Sequence, residues 1–147
     1  MAELIYRGNP PVGPAETQAL LGGSFSAIWA PPMYRHATPA EGDRLWVIWQ
    51  AEGQAAQLLG RGVIVVTNEG SPDWTNRTAP GIVEAAQDQG YGGPTNMAFL
   101  RLRNVRLATG RPQVTAVLGI PTGLSVLLPS DLAALGALFP EDGAAQQ

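Results

Sequence analysis

The stretch "GDRLWVIWQ", residues 42–50, is the most informative part of the sequence about the fold, because a Gly-Asp turn leads directly into a short apolar segment. Its branched and aromatic residues predict a β-strand over 44–50. Trp46 and Trp49 are three positions apart, so they point to opposite faces of a regular strand, and we expect at least one of them to pack in the core. The next four residues, "AEGQ", have the length and composition of a hairpin turn. The stretch therefore predicts one arm of a hairpin that is covered on both faces.

Short apolar runs alternate with turn formers along the rest of the chain. They predict five further strands, at 24–30, 55–67, 97–108, 113–120 and 124–129. They also predict short helices at 15–23, 80–89 and 130–139, the last with Ser130 as its N-cap. Gly60 and Gly62 inside a strand predict a bulge or bend, as at a barrel corner. The class is α+β: a small mixed β-barrel with two or three short helices.

The length of 147 residues fits one domain, which we place at 1–140, with a disordered tail at 141–147. The net charge is −3, whereas proteins that bind nucleic acid through its phosphates are usually basic. Nucleic-acid binding would therefore need a local basic patch and contacts to the bases. No apolar run approaches the ~18 residues of a membrane span. The first residues lack the order of a signal peptide, and we expect a cytosolic protein with no membrane partner.

The composition excludes several chemistries. The chain has no cysteine, one histidine (His36), and nine basic residues that are all arginine. Disulfides, thiolate nucleophiles, Cys- or His-cluster metal sites and lysine chemistry are thereby excluded. Asp43, Glu69 and Asp73 could converge as paired carboxylates, but no spacing supports that arrangement. We expect no catalytic residues, no metal and no cofactor.

Four segments carry a resemblance to a known family: "FSAIWAPP" (25–32), "GDRLWVIW" (42–49), "LLGRGVIVV" (58–66) and "AFLRLRNVRL" (98–107). In order and content they resemble the PUA-like superfamily, over roughly residues 21–108. The EVE type is the better match, because the Gly-x-Lys signature typical of ASCH domains requires a lysine that this chain lacks. The resemblance implies a pseudo-barrel with a cleft beside the first strands. Such a cleft accommodates a nucleobase, often a modified one, from a single strand or flipped out of a duplex.

An extruded base stacks on Trp or Tyr and needs only a few hydrogen-bond partners at its edges. Stacking contributes ~1–3 kcal/mol per base and requires no large positive charge. The aromatic and basic cluster after the first predicted strand lies where the family cleft would be. The alternatives are a strand-end tryptophan packed over the barrel, solvated loop side chains and a solvated strand face. The candidate ligand-binding residues are Trp29, Tyr34, Arg35, His36, Trp74, Tyr91, Arg101 and Arg103.

Three functions follow from these observations. The first is a non-catalytic binding module for a nucleobase or similar planar ligand, with single-stranded or modified nucleic acid as its partner. The second is an interaction domain without a small ligand, which forms a homo-oligomer or docks a partner through weakly charged surfaces and the segment 68–96. The third is a small-molecule enzyme.

Overall fold

The computed structural model describes residues 2–10, 13–22, 27–30, 34–69 and 98–139. Its elements are β1 (Glu3–Gly8), α1 (Pro14–Gly22), β2 (Ala27–Ala30), β3 (Arg44–Trp49), β4 (Gln57–Glu69), β5 (Ala98–Leu107), β6 (Gly123–Val126) and α2 (Pro129–Leu138). The predicted α+β class is confirmed, as are the hairpin of β3 with β4 and both flanking helices. The helix predicted at 80–89 and the tail at 141–147 lie outside the described residues.

The six strands form one mixed sheet in the order β2-β5-β4-β3-β1-β6. β1 pairs in parallel with β3, and the other neighbouring strands are antiparallel. β1 was not predicted from the sequence. It has only six residues and turn formers follow it at once, so its strand state depends on pairing with β3 and β6, which lie far away in the sequence.

In the described part of the chain the sheet is not closed, but its two edges approach each other near Arg35, as in a pseudo-barrel. β2 pairs with β5 at one edge of the sheet, whereas Arg35 forms a β-bridge with Leu124 of β6 at the opposite edge. Five residue steps separate Ala30 from Arg35, and an extended chain covers at most about 17 Å in that distance. The two edges are therefore close in space, although no continuous hydrogen-bonded ladder joins them. We call the contact of residues 34–36 with residues 122–124 the seam of the pseudo-barrel.

Each face of the sheet carries its own hydrophobic cluster. The inner cluster includes Leu45, Val47 and Leu21 of α1, and the outer cluster includes Trp46, Ile48 and Leu135 of α2. Trp46 is 2% exposed within the outer cluster, whereas Trp49 packs against the inner cluster. The prediction that the two tryptophans point to opposite faces is thus confirmed, and Trp46 is core packing.

The Gly-Asp turn fixes where β3 begins relative to β1. Asp43 is 7% exposed, and its two carboxylate oxygens accept hydrogen bonds from the backbone N–H groups of Ala2 (2.9 Å) and Ala40 (3.0 Å). Gly42 has φ +91°, a left-handed conformation that residues with a Cβ adopt only under strain. The Arg44 N–H then donates to the Ala2 carbonyl at 2.9 Å. The turn thereby sets the register of the parallel β1–β3 pair.

Two local predictions were wrong. Residues 113–120 form no strand; within them only Gln113 forms a β-bridge, with Gln57. Their alternating pattern reflects burial instead, because Val114, Leu118 and Ile120 cover the outer cluster. Ser130 does not cap α2: the N-cap is Leu128, without a side-chain cap, and Pro129 begins the helix. Proline suits that first position because its φ is already helical and it has no N–H to satisfy.

Candidate functional site

Three of the predicted site residues meet at the seam. Arg35 bridges to Leu124, and the His36 N–H donates to the Leu124 carbonyl at 2.7 Å. The His36 ring Nε2 lies 3.2 Å from the carbonyl oxygen of Thr122. These backbone contacts fix the segment from Tyr34 to His36 against the start of β6, so its side chains project from a defined backbone.

A glycine allows this close approach. Gly123 has φ +97°, and a Cβ at this position would collide with the carbonyl oxygen and Cβ of Tyr34. The glycine thus lets the chain at Tyr34 lie directly on β6. The Tyr34 side chain is 40% exposed, His36 is exposed and Arg35 is half-buried. The seam therefore presents an aromatic ring, a guanidinium and an imidazole within three consecutive residues. That set can stack on a planar ligand and bond to its edges.

Trp29 lies on β2, the strand at the other side of the seam. Its backbone pairs with Phe99 of β5, and five residue steps separate it from Tyr34, at most about 17 Å of chain. The Trp29 side chain is outside the described part of the structure, as are Trp74 and Tyr91 entirely. Their roles in ligand binding stay predictions.

Arg101 and Arg103 lie on β5, away from the bridge at Leu124. Both are exposed, opposite the buried Leu100 and Leu102. Arg101 pairs with Ala27, so it neighbours the strand that carries Trp29, whereas Arg103 lies further along β5 opposite Val63. The structure thus places these arginines on the outer face of the sheet rather than among the seam side chains.

Sequence reasoning missed a second polar cluster on this outer face. Glu3 accepts hydrogen bonds from Trp46 Nε1 (2.9 Å) and from Arg44 Nε (2.9 and 3.0 Å to its two oxygens). The Arg61 guanidinium lies 5.0 Å from the centroid of the Trp46 ring and 5.1 Å from that of Phe139. Arg44 and Trp46 alternate in β3, which is a sequence signal that they share a face. Glu3 and Phe139 gave no such signal, because β1 and the end of α2 reach Trp46 only through tertiary packing.

A groove of about 300 Å³ adjoins this cluster between the end of β5 and the end of α2. Its lining residues are Arg106, Leu107, Ala108, Thr109, Pro112, Leu138 and Phe139. Among the described residues, no group of His, Asp and Glu side chains is arranged to hold a metal ion. Both carboxylate oxygens of Asp43 accept backbone hydrogen bonds at the turn. The Glu69 side chain and Asp73 lie outside the described residues. The suggested convergence of Asp43, Glu69 and Asp73 therefore lies outside the described residues.

With this geometry established, the chain can be compared with known proteins. No protein-family model and no curated protein matches the sequence. Solved structures do match. A point mutant of the ASCH protein from Zymomonas mobilis aligns with a TM-score of 0.59 and 16% identity, over 94% of this chain and 99% of that one. The unmutated ASCH protein from the same organism gives 0.54 and 17%, over 93% and 95%. The N-terminal domain of Staphylothermus marinus McrB gives 0.53 and 14%, over 92% and 93%.

These likenesses show that the chain has a PUA-like fold. From the sequence we predicted that the EVE type is a better match than the ASCH type. ASCH proteins are among the solved structures that match, so this ranking is not supported. The absence of lysine excludes the Gly-x-Lys signature of ASCH domains, but it does not exclude a fold like theirs. In the part of the chain that the structure describes, no helix has the length and apolar character needed to cross a membrane.

Proposed function

We propose that residues 1–140 form a single PUA-like binding module, without catalytic activity, that holds a nucleobase or a similar planar ligand at the seam of the barrel. The observation that carries this proposal is that the segment joining the two sheet edges also bears Tyr34, Arg35 and His36. The proposed partner is a single-stranded or modified nucleic acid in the cytosol.

Each side chain has a role that suits such a ligand. Tyr34 offers an exposed ring face for stacking, and the backbone beneath it is held against Gly123. Arg35 and His36 supply hydrogen-bond donors for the edge of the base or for its phosphate. Trp29, on the strand at the other side of the seam, is the proposed second stacking ring. Because stacking does not depend on net charge, an overall charge of −3 is compatible with this function.

The test is a binding titration of short single-stranded oligonucleotides, with ordinary and modified bases, at low salt. Tyr34→Ala should weaken binding about 5- to 150-fold, the equivalent of ~1–3 kcal/mol of stacking per base. Tyr34→Phe is the matched control, because it keeps the ring and should keep most of the affinity. Absence of binding to every oligonucleotide at low salt would refute the proposal, since electrostatic assistance is greatest there.

A second candidate function has its own observation. Val126, at the end of the edge strand β6, and Leu128, the N-cap of α2, are 60% and 58% exposed. Exposed apolar side chains on a sheet edge favour self-association or the docking of a partner. Under this alternative, the mass in solution rises with protein concentration in the absence of ligand, and Val126→Lys abolishes the rise.

A further inference from the structure

The outer face of the sheet concentrates positive charge in a chain that is acidic overall. The described side chains of β3, β4 and β5 include five of the nine arginines and no carboxylate. We call this set the arginine face; it consists of Arg44, Arg61, Arg101, Arg103 and Arg106. Among the described residues of β1, Glu3 adds one carboxylate beside Arg44. The exposed members of the arginine face are Arg101, Arg103 and Arg106, whereas Arg61 is buried and Arg44 is half-buried in its ion pair with Glu3. The exposed row thus carries positive charge in a chain whose net charge is −3.

A bulge brings the three β5 arginines onto one face. Arg61 pairs with Arg106, but Val63 pairs with Arg103, so β5 contains one extra residue between these pairs. Asn104 lies at this point with φ 54°. Because of the extra residue, Val105 packs against the inner cluster and Arg106 returns to the outer face with Arg103. Strict alternation would have turned Arg106 inward.

The arrangement sets two like charges directly opposite each other. Arg61 and Arg106 are cross-strand partners, a pairing that disfavours the sheet when the charges are equal in sign. Aromatic rings offset this cost: Arg61 lies over Trp46 and Phe139, and the Arg106 guanidinium is 5.5 Å from the Phe139 centroid. Arg61 is 7% exposed, so of these two residues it is Arg106 that faces solvent beside the Phe139 ring.

We infer that the arginine face binds the phosphodiester backbone of a nucleic-acid strand. This inference rests on the proposed function, because it supplies the strand to which the base held at the seam belongs. From Arg101 to Arg106 the row covers five residue steps, at most about 16 Å along β5, because one of these residues is the bulge. That length lets more than one phosphate of a single strand contact the row.

One feature favours a nucleic acid over an acidic protein. The row is linear and begins at Arg101, which pairs with β2, the strand of Trp29, so it continues from the seam side of the barrel. The guanidinium forks of the row fit phosphate oxygens with two hydrogen bonds, and they fit carboxylates equally, so the position of the row and not its chemistry distinguishes the two partners. The face thus provides the sequence-independent part of binding, and the seam provides the preference for a base.

The experiment measures the affinity of a single-stranded 12-mer as a function of salt, for the wild type, Arg103→Gln and Arg106→Gln. Arg111→Gln is the matched control: it removes the same charge from outside the face, where Arg111 donates to Gln18 of α1. We expect each face variant to bind about 3- to 10-fold more weakly, equally for all sequences. Its slope of log affinity against log salt should fall by about 0.7–1. Circular dichroism confirms that each variant is folded.

Two further arms separate the outcomes. An uncharged nucleoside should bind the face variants as it binds the wild type, because it has no phosphate; this keeps failure of the arginine face distinct from failure of the seam. Salt slopes equal to that of Arg111→Gln would overturn the inference, even if Tyr34→Ala abolishes base binding. Poly-glutamate of matched length that binds as tightly as the 12-mer, and loses as much in the variants, would also overturn it in favour of an acidic protein.

Discussion

Replacing Glu3 with alanine should destabilise the protein by about 2–3 kcal/mol, although Glu3 lies near the start of the chain. Glu3 Oε1 accepts the indole N–H of Trp46 at 2.9 Å, and Trp46 is 2% exposed. Leaving such a buried donor without an acceptor costs about 1–3 kcal/mol. The ion pair of Glu3 with Arg44 adds at most about 1 kcal/mol, since their side chains are 18% and 31% exposed and water screens the pair.

The measurement is the free energy of unfolding from urea denaturation followed by circular dichroism. Glu3→Gln is the informative companion, because its amide oxygen can still accept from the indole; it should cost less than half as much as Glu3→Ala. Trp46→Phe removes the N–H itself, so Glu3→Ala in that background should cost about 1–2 kcal/mol less than in the wild type. Equal costs for Glu3→Ala and Glu3→Gln, or an unchanged cost beside Trp46→Phe, would refute this reasoning.

Three further substitutions probe other parts of the fold. Gly123→Ala should lower the free energy of unfolding by more than about 1 kcal/mol, because its φ is strained for alanine and the new Cβ displaces Tyr34. Faster chymotrypsin cleavage after Tyr34 would report the displacement, and a wild-type cleavage rate would contradict it. Asp43→Ala should lower the free energy of unfolding in urea by about 1–3 kcal/mol, because two backbone N–H donors lose their acceptors. Asp43→Asn should lower it less, and the reverse order would contradict the role of Asp43 in the turn. Phe139→Ala should lower the free energy of unfolding by about 3 kcal/mol, because it removes packing on Trp46. Phe139→Leu should have a much smaller effect. A negligible loss for Phe139→Ala would show that the end of α2 does not stabilise the outer cluster.

The segments that predicted the fold are those whose neighbours in space are also close in sequence. The Gly-Asp turn, the alternation around Trp46 and the glycines of β4 all act within a single hairpin, and the structure confirms them. β1 escaped prediction because its pairing partners come from residues 44–49 and 123–126. Residues 113–120 were wrongly predicted as a strand for a related reason: Val114, Leu118 and Ile120 are buried in the outer cluster, but no strand in the described part of the chain completes a ladder with this segment.

The candidate site shows the same contrast between residues that are close in sequence and contacts that form only in the folded chain. Tyr34, Arg35 and His36 are consecutive, so their clustering was visible in the sequence, but their contact with Gly123 and Leu124 depends on the tertiary fold. Strict alternation from Arg101 and Arg103 would place Arg106 on the inner face, whereas the bulge at Asn104 places it on the outer face. A single irregular residue thus changes which charges act together, and no composition or spacing rule identifies it in advance.

The most direct test of the central proposal compares two single-stranded oligonucleotides that differ only in one position, which is a base in one and an abasic sugar in the other. Both have the same phosphates, so contacts to the arginine face are equal and the difference reports the base alone. If the seam holds a nucleobase, the intact strand binds at least about 5-fold more tightly at low salt, and Tyr34→Ala removes the difference. Equal affinities for the two strands, with Tyr34→Ala without effect, would contradict the proposal.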